Sequence, residues 1–270
     1  MMTQDFRPND EHARREDVLP QDAPAVRTLR VLTVNTHKGF SPLNRRFVLP
    51  ELREAVRAVS ADVVFLQEVL GQHRRHGQRF DNWSDIPQYE FLADSMWPVF
   101  AYGRNAVYPD GEHGNALLSK FPILRHENLD VTVNGTEERG LLHSVLAVPG
   151  QEEVHTICVH LGLREAQRQQ QLTLLCRLLD DIPPYHPVIV AGDFNDWRQR
   201  ADGILRESGL EEAFAHHYGE PARSFPARLP ILRLDRIYLR NAKPHKPQVL
   251  SRKPWSHLSD HVPLAVEVCL

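Results

Sequence analysis

The chain alternates between short apolar runs and longer polar segments. Short apolar runs with few charged residues are typical of strands that are buried on both faces of a sheet. We therefore predict strands over residues 29–35, 62–68, 115–119, 141–148, 154–160, 188–193, 234–239 and 263–268.

Two other segments have the periodicity of amphipathic helices. In residues 50–60, Leu52, Val56 and Val59 recur at helical spacing. In residues 164–180, three leucines and a cysteine fall on one face, and a Pro-Pro pair follows the segment. The strand–helix–strand order at the start of the pattern indicates an α/β fold.

The remaining segments indicate how the chain is organised. Residues 71–113 are rich in His, Arg, Pro, Gly and aromatic residues, which predicts long loops and a short helix. Residues 1–28 are polar, charged and Pro-bearing, which predicts a flexible N-terminal arm. No repeat or linker interrupts residues 29–270, so we expect them to form a single domain.

Composition narrows the class of protein. The 270 residues are 41% hydrophobic and 25% charged, which excludes a collagen, a coiled-coil rod and a largely disordered chain. The net charge of −3 argues against bulk attraction to nucleic acid, although a local basic groove stays possible. Three cysteines without CxxC spacing predict a reducing, cytoplasmic location. With no secretory signal and no 18-residue apolar run, we expect no transmembrane segment. We also expect the protein to be a monomer.

Polar side chains recur where the apolar runs begin or end. Any one of them is commonly a helix cap or a turn residue. Because strand ends can present several side chains to one crevice, the whole set predicts a site. Its members are Asn35, Glu68, His160, Asp193, Asn195, Asp235, Asp260 and His261.

The chemistry of this set suits hydrolysis at phosphorus. The carboxylates of Glu68 and Asp260 are hard oxygen ligands that favour Mg²⁺, with Mn²⁺ as a second possibility. An imidazole can act as a general base or, when protonated, offset phosphate charge. The sequence has no HExxH, P-loop or GxSxG motif, and its fifteen histidines show no further metal-ligand spacing.

Seven segments, taken together and in order, are similar to motifs of the endonuclease/exonuclease/phosphatase superfamily, which has the deoxyribonuclease I-like fold. They lie within residues 31–266 and read VLTVNTHKG, VVFLQEV, HGNALLSKFPI, ICVHLGL, VIVAGDFND, LDRIYL and LSDHVPL. The resemblance implies a four-layered α/β/β/α sandwich, in which two packed mixed sheets are flanked by helices. It also implies a site at one end of the two sheets.

The resemblance further implies a task for each polar residue. Metal binding is implied for Asn35, Glu68 and Asp260. Catalytic roles are implied for His160 at the scissile phosphate, Asp193 and Asn195 at the attacking water and phosphate oxygens, and His261 with Asp235 as its orienting acid. The expected substrate-binding residues are Asn115, where the family often has a polar residue, and Arg139, which precedes a strand.

These observations predict a Mg²⁺-dependent hydrolase of phosphoester bonds, most simply a phosphodiesterase or nuclease-type enzyme. A phospholipid head-group or phosphoinositide phosphoesterase is the first alternative, because the same site can support that reaction. A catalytically inactive binding protein is the second. The expected partner is a phosphoester substrate, which would be a nucleic acid or a phospholipid.

Overall fold

The computed structural model describes residues 27–73, 80, 82–135 and 137–270, and within them twelve strands form two six-stranded sheets. The first sheet has the spatial order β11 (Lys243–Val249), β12 (Leu264–Cys269), β1 (Thr28–Asn35), β2 (Val63–His73), β4 (Gly111–Ser119) and β3 (Val99–Tyr108). The second has the order β5 (Ile123–Asp130), β6 (Gly140–Leu146), β7 (Val154–His160), β8 (Val188–Asp193), β10 (Asp235–Arg240) and β9 (Glu211–Glu212).

Both sheets are mixed. The β1–β2 and β7–β8 pairs are parallel, and the other pairs of neighbouring strands are antiparallel. The α-helices of the described residues are α1 (Leu49–Val59), α2 (Gln88–Ala93), α3 (Glu165–Asp180), α4 (Ala201–Glu207) and α5 (Ala213–Tyr218).

Alternate residues of the central strands face different cores, which explains why these strands read as continuous apolar runs. Val31 packs between the two sheets, whereas the next residue, Leu32, packs on the outer side of the first sheet with Leu52 of α1. On the outer side of the second sheet, Val159 of β7 packs with Leu175 of α3. These layers confirm the expected four-layered α/β/β/α sandwich.

The prediction of long loops over residues 71–113 is wrong in its second half. The structure has the short helix α2 there, but residues 99–119 form the hairpin of β3 and β4, and β2 runs on to His73. The β3 strand VFAYGRNAVY lies at the edge of its sheet and is only partly buried, so its sequence lacks an apolar run.

The predicted N-terminal arm lies almost wholly outside the described residues. The described chain starts at Arg27, and β1 begins at Thr28, one residue before the predicted strand. The described part of the chain contains no helix long and apolar enough to span a membrane.

Candidate active site

The register of the strands brings the predicted polar residues to one end of the two sheets. Asp193 is the last residue of β8, and it pairs with His160 on parallel β7 and with Asp235 on antiparallel β10. Asn35 ends β1 in the facing sheet, and its amide Nδ2 lies 3.2 Å from Asp193 Oδ2. The two sheets therefore meet at this carboxylate.

Asp193 is the centre of the cluster. Its buried carboxylate accepts hydrogen bonds through Oδ2 from Asn35 Nδ2 and through Oδ1 from the Asn195 backbone N–H, at 2.9 Å. The Nε2 atoms of His160 and His261 lie 3.7 Å and 3.8 Å from Oδ2. A single carboxylate thus faces one amide and two imidazoles.

The surroundings make Asp193 a stronger base than an ordinary aspartate. Burial raises the pKa of Asp193, the imidazole of His261 opposes this change, and the net value is about 6. The carboxylate is therefore ionised at neutral pH but holds a proton more readily than an exposed aspartate does. A group with these properties can take a proton from an attacking water.

His261 and Asp235 form a buried hydrogen-bonded pair, with 2.8 Å between His261 Nδ1 and Asp235 Oδ2. The ring of Phe225 packs 5.0 Å from the His261 ring and limits its movement. Burial alone would lower the pKa of His261, but the carboxylates of Asp235 and Asp193 outweigh it and raise the value to about 10. His261 is therefore an imidazolium at neutral pH, and its Nε2–H faces Asp193.

This pair has a consequence for stability. Folding raises the pKa of His261 to about 10, so the folded protein keeps a proton that the unfolded chain loses above its ordinary pKa near 6.5. The resulting stabilisation is fully present below about pH 6.5 and is lost as the pH rises toward 10. We expect the unfolding free energy to fall by on the order of 1 kcal/mol per pH unit within that window. Urea unfolding at several pH values without divalent cations measures it. An equal slope in His261→Ala would contradict the assignment.

The GDFN segment (residues 192–195) begins inside β8, where its backbone lies close to β7, and it turns after β8 ends. Gly192 has φ +145°, and a Cβ atom there would lie 2.0 Å from the carbonyl oxygen of Val159, so only glycine fits. Asn195 also has a positive φ, of 50°, and its side-chain Nδ2 donates to Leu161 O at 2.9 Å. The predicted contact between Asn195 and a phosphate oxygen stays a prediction, since this amide stabilises the turn.

A β-bulge in β2 places Glu68 beside the cluster. The pairing of β2 with β4 shifts between Leu66 and Val69, and Glu68 has a left-handed φ of 55°. This conformation costs about 1–3 kcal/mol in a non-glycine residue, and such strain is concentrated at functional sites. Its Oε1 accepts from Asn35 Nδ2 at 3.3 Å, so Asn35 links Glu68 to Asp193.

Glu68 and Asp260 both line an open cavity of about 450 Å³. Ser259 Oγ donates to Asn35 O at 2.7 Å and lies 3.3 Å from Asp260 Oδ1, which fixes the segment before β12 against the end of β1. Two carboxylates at an open cavity with room for water are a donor set that fits Mg²⁺. The side-chain oxygen of Asn35, the third predicted ligand, accepts from the His37 backbone N–H at 3.0 Å.

His160 and Arg139 lie on the other side of Asp193. Burial, followed by the positive charges of Arg139 and His261, holds the pKa of His160 well below its ordinary value, so its ring is neutral. Within the described residues, the buried Arg139 Nε–H has no hydrogen-bond partner, and Nη2 reaches Glu137 at 3.4 Å. A phosphate oxygen is a suitable partner for such a donor, and the expected contact of Arg139 with substrate stays a prediction.

Asn115 is fully buried between the sheets. Its Nδ2 donates to the backbone carbonyls of Gly140 at 3.0 Å and Cys158 at 3.3 Å, which ties β4 to β6 and β7. These contacts give Asn115 a structural task, and its expected contact with substrate stays a prediction.

Sequence reasoning missed His37 and Lys38, which line the cavity with Glu68 and Asp260. Both have positive φ values, of 46° and 56°, in the tight turn after β1, and His37 Nδ1 lies 3.7 Å from Asp260 Oδ1. Their position two and three residues after Asn35 was the available signal. The backbone turn that brings them to the cavity is not visible in residue types that rarely adopt positive φ.

Known proteins share this architecture. The sequence profile of the Endonuclease/Exonuclease/phosphatase family matches residues 32–261. The protein named "Uncharacterized protein YbhP" of Escherichia coli is 55% identical over 245 residues, which are 90% of this chain and 97% of the relative.

Among solved structures, an endonuclease/exonuclease/phosphatase from Beutenbergia cavernae is 21% identical, with a TM-score of 0.73, over 91% of this chain and 72% of that one. A D. rerio TDP2 structure complexed with single strand DNA product is 19% identical, with a TM-score of 0.67, over 90% of this chain and 99% of that one. These two structures share the fold, and the family profile covers most of the described chain. The chain therefore belongs to the endonuclease/exonuclease/phosphatase family.

Proposed function

We propose that this protein is a divalent-metal-dependent phosphodiesterase, with Mg²⁺ as its cofactor. The observation that carries the proposal is the environment of Asp193: a buried carboxylate that faces Asn35, His160 and the His261 imidazolium. Family membership supports hydrolysis of a phosphoester as the reaction class.

In the proposed reaction, the chain's own residues provide the base and the positive charge. Asp193, with its raised pKa, accepts a proton from a water molecule as that water attacks phosphorus. The His261 imidazolium, held by Asp235, offsets the negative charge that develops on the phosphate oxygens. Neutral His160 and the Arg139 guanidinium would hold the non-bridging oxygens on the other side.

Glu68 and Asp260 would hold the metal at the cavity, with Asn35 positioning the Glu68 carboxylate. When bound, Mg²⁺ supplies Lewis-acid stabilisation of the phosphate and of the leaving oxygen. The bulge at Glu68 and the hydrogen bonds of Ser259 fix the two carboxylate-bearing segments before a metal binds. The same bulge brings Glu68 to the cavity that Asp260 also lines, which supports this assignment.

Metal dependence is the first test. Chelation with EDTA is expected to abolish hydrolysis of bis-p-nitrophenyl phosphate, and Mg²⁺ or Mn²⁺ is expected to restore it. Glu68→Gln keeps the shape of the side chain but removes the ligand charge, so it should raise the Mg²⁺ concentration for half-maximal activity by at least about 10-fold. Initial rates across a Mg²⁺ series measure this.

The matched control is Glu54→Gln, which removes an exposed carboxylate from α1 and should leave the Mg²⁺ requirement unchanged. Full activity after exhaustive chelation would refute the metal-dependent mechanism. An unchanged Mg²⁺ requirement in Glu68→Gln would remove Glu68 from the metal site.

For the substrate class, we propose a nucleic acid. The TDP2 structure with single strand DNA product shares the fold, and Lys38 and Arg139 provide local positive charge at the site despite the net charge of −3. Rates on single-stranded DNA, plasmid DNA, RNA and phospholipid at equal enzyme concentration test the proposal. Faster turnover of phospholipid than of every nucleic acid would overturn it.

A further inference from the structure

Three histidines form a row at the opposite end of the second sheet from Asp193. His143 lies on β6, His155 on β7, and His186 just before β8. The His143 Nε2 to His155 Nδ1 distance is 2.9 Å, and the His155 Nε2 to His186 Nδ1 distance is 3.0 Å. His155 precedes His160 by five residues, which places it about 17 Å away along β7.

One acidic residue joins the row and completes a set of metal-ligand atoms. Glu153 Oε2 lies 3.4 Å from His155 Nε2 and 3.8 Å from His186 Nδ1. The third distance, between His155 Nε2 and His186 Nδ1, is 3.0 Å. The three distances between candidate ligand atoms therefore span the range in which the ligand atoms of a tetrahedral zinc site are separated. Zinc bonds of about 2.0–2.1 Å separate tetrahedral ligand atoms by about 3.3–3.4 Å.

We propose that Glu153, His155 and His186 bind one Zn²⁺, with a water molecule as the fourth ligand. Both histidine side chains are buried, whereas the Glu153 side chain is 26% exposed, so the site opens to solvent on the side of the glutamate. The proposed site lies outside the active site, where the sequence showed no metal-ligand spacing among the histidines. The sheet brings together residues 31 positions apart, which spacing in the sequence could not indicate.

The three imidazoles continue into a row that ends in two carboxylates. Glu127, His143, His155, His186 and Glu152 follow one another through four polar contacts, of which the outer two are 3.5 Å and 3.4 Å long. A metal ion held by His155 Nε2 and His186 Nδ1 would replace one inner contact and leave every other ring nitrogen with its partner.

The resulting arrangement gives each ligand the support that metal-bound histidines usually have. With the metal on His155 Nε2, the His155 Nδ1–H would donate to His143 Nε2, and the His143 Nδ1–H would donate to Glu127. His186 Nε2–H points to Glu152, at 3.4 Å.

The charges around the site suit a divalent cation. The carboxylates of Glu127, Glu152 and Glu153 surround the row, and in the described part of the chain Arg125 is the one cation that opposes them. Arg125 holds both oxygens of Glu153, at 2.6 Å and 2.7 Å, and so orients this ligand. Two imidazoles and one carboxylate favour zinc, whereas the oxygen ligands at Glu68 and Asp260 favour magnesium.

Calorimetric titration with Zn²⁺ near neutral pH, with Mg²⁺ in excess, tests the proposal. We expect a wild-type binding event that is weakened at least about 100-fold in His186→Gln and in Glu153→Gln. At a Zn²⁺ concentration of about 100 times Kd, the wild-type Tm should rise by about 5 °C, and the variants should not show this rise. Co²⁺ in place of Zn²⁺ should give the visible absorption of tetrahedral coordination in the wild type only.

The matched control is His216→Gln, which removes an exposed histidine that pairs with Glu211, and it should bind Zn²⁺ as the wild type does. Glu153→Gln keeps one oxygen that can accept from Arg125 and changes a partly exposed side chain, so it tests the site even if His186→Gln fails to fold. The absence of wild-type binding would overturn the proposal. So would equal Zn²⁺ affinity in Glu153→Gln, because the titrated ions would then bind elsewhere, for example at Asp193, Asp235 and His261.

Discussion

Asp193→Asn is expected to lower kcat for bis-p-nitrophenyl phosphate by at least about 10²-fold. The change keeps the size of the side chain but removes the charge that accepts the proton of the attacking water. The single amide oxygen can accept from only one of Asn35 Nδ2 and the Asn195 N–H. General-base and electrostatic contributions are each worth about 10²–10⁴ in rate. Steady-state kinetics at saturating Mg²⁺ measure the effect, so that a weaker metal affinity does not enter it.

Folding should survive this change. The pKa of Asp193 is already raised by burial, so the folded protein loses little when the carboxylate becomes an amide, and we expect a small change in Tm. The matched control is Asp181→Asn, which makes the same change at an exposed carboxylate that follows α3. This variant should keep the wild-type kcat. A near-wild-type kcat in Asp193→Asn would assign the base to another residue.

The sequence predicted the interior of the fold far better than its edges. The eight apolar runs correspond to the eight interior strands of the two sheets, whereas β3, β5, β9 and β11 were missed. These four form the sheet edges in the described chain. Edge strands are half-exposed and tolerate charge and proline, as in KPHKPQV of β11, so the hydrophobic pattern that marks an interior strand is weak there.

The residues of the candidate active site also differ in how well the sequence predicted them. Residues at the ends of predicted strands, such as Asn35, His160 and Asp193, could be placed because the strand ends were known. His37 and Lys38 depend on left-handed backbone conformations, which these residue types rarely adopt and do not signal. Glu68 was found by its motif, but the bulge that directs it into the cavity became apparent only from the pairing of β2 with β4.

The Asp235–His261 pair is expected to act as a single unit in catalysis. A free imidazole has two tautomers and a mobile ring, and a carboxylate that accepts from Nδ1 fixes both. Asp235 does this at 2.8 Å and raises the pKa of His261. Asp235→Asn should therefore lower kcat by about 10²-fold or more, because the amide no longer stabilises the imidazolium.

A double-mutant cycle distinguishes this role from a structural one. If Asp235 acts only through His261, then Asp235→Asn combined with His261→Ala should cost little more in kcat than His261→Ala alone. The control is His257→Ala, an exposed histidine on the same segment, which should leave kcat unchanged. Losses that multiply in the double variant would show that the two residues act independently. Asp235 would then be a residue that caps the start of β10. The positive charge of His261 at the phosphate would then not depend on Asp235.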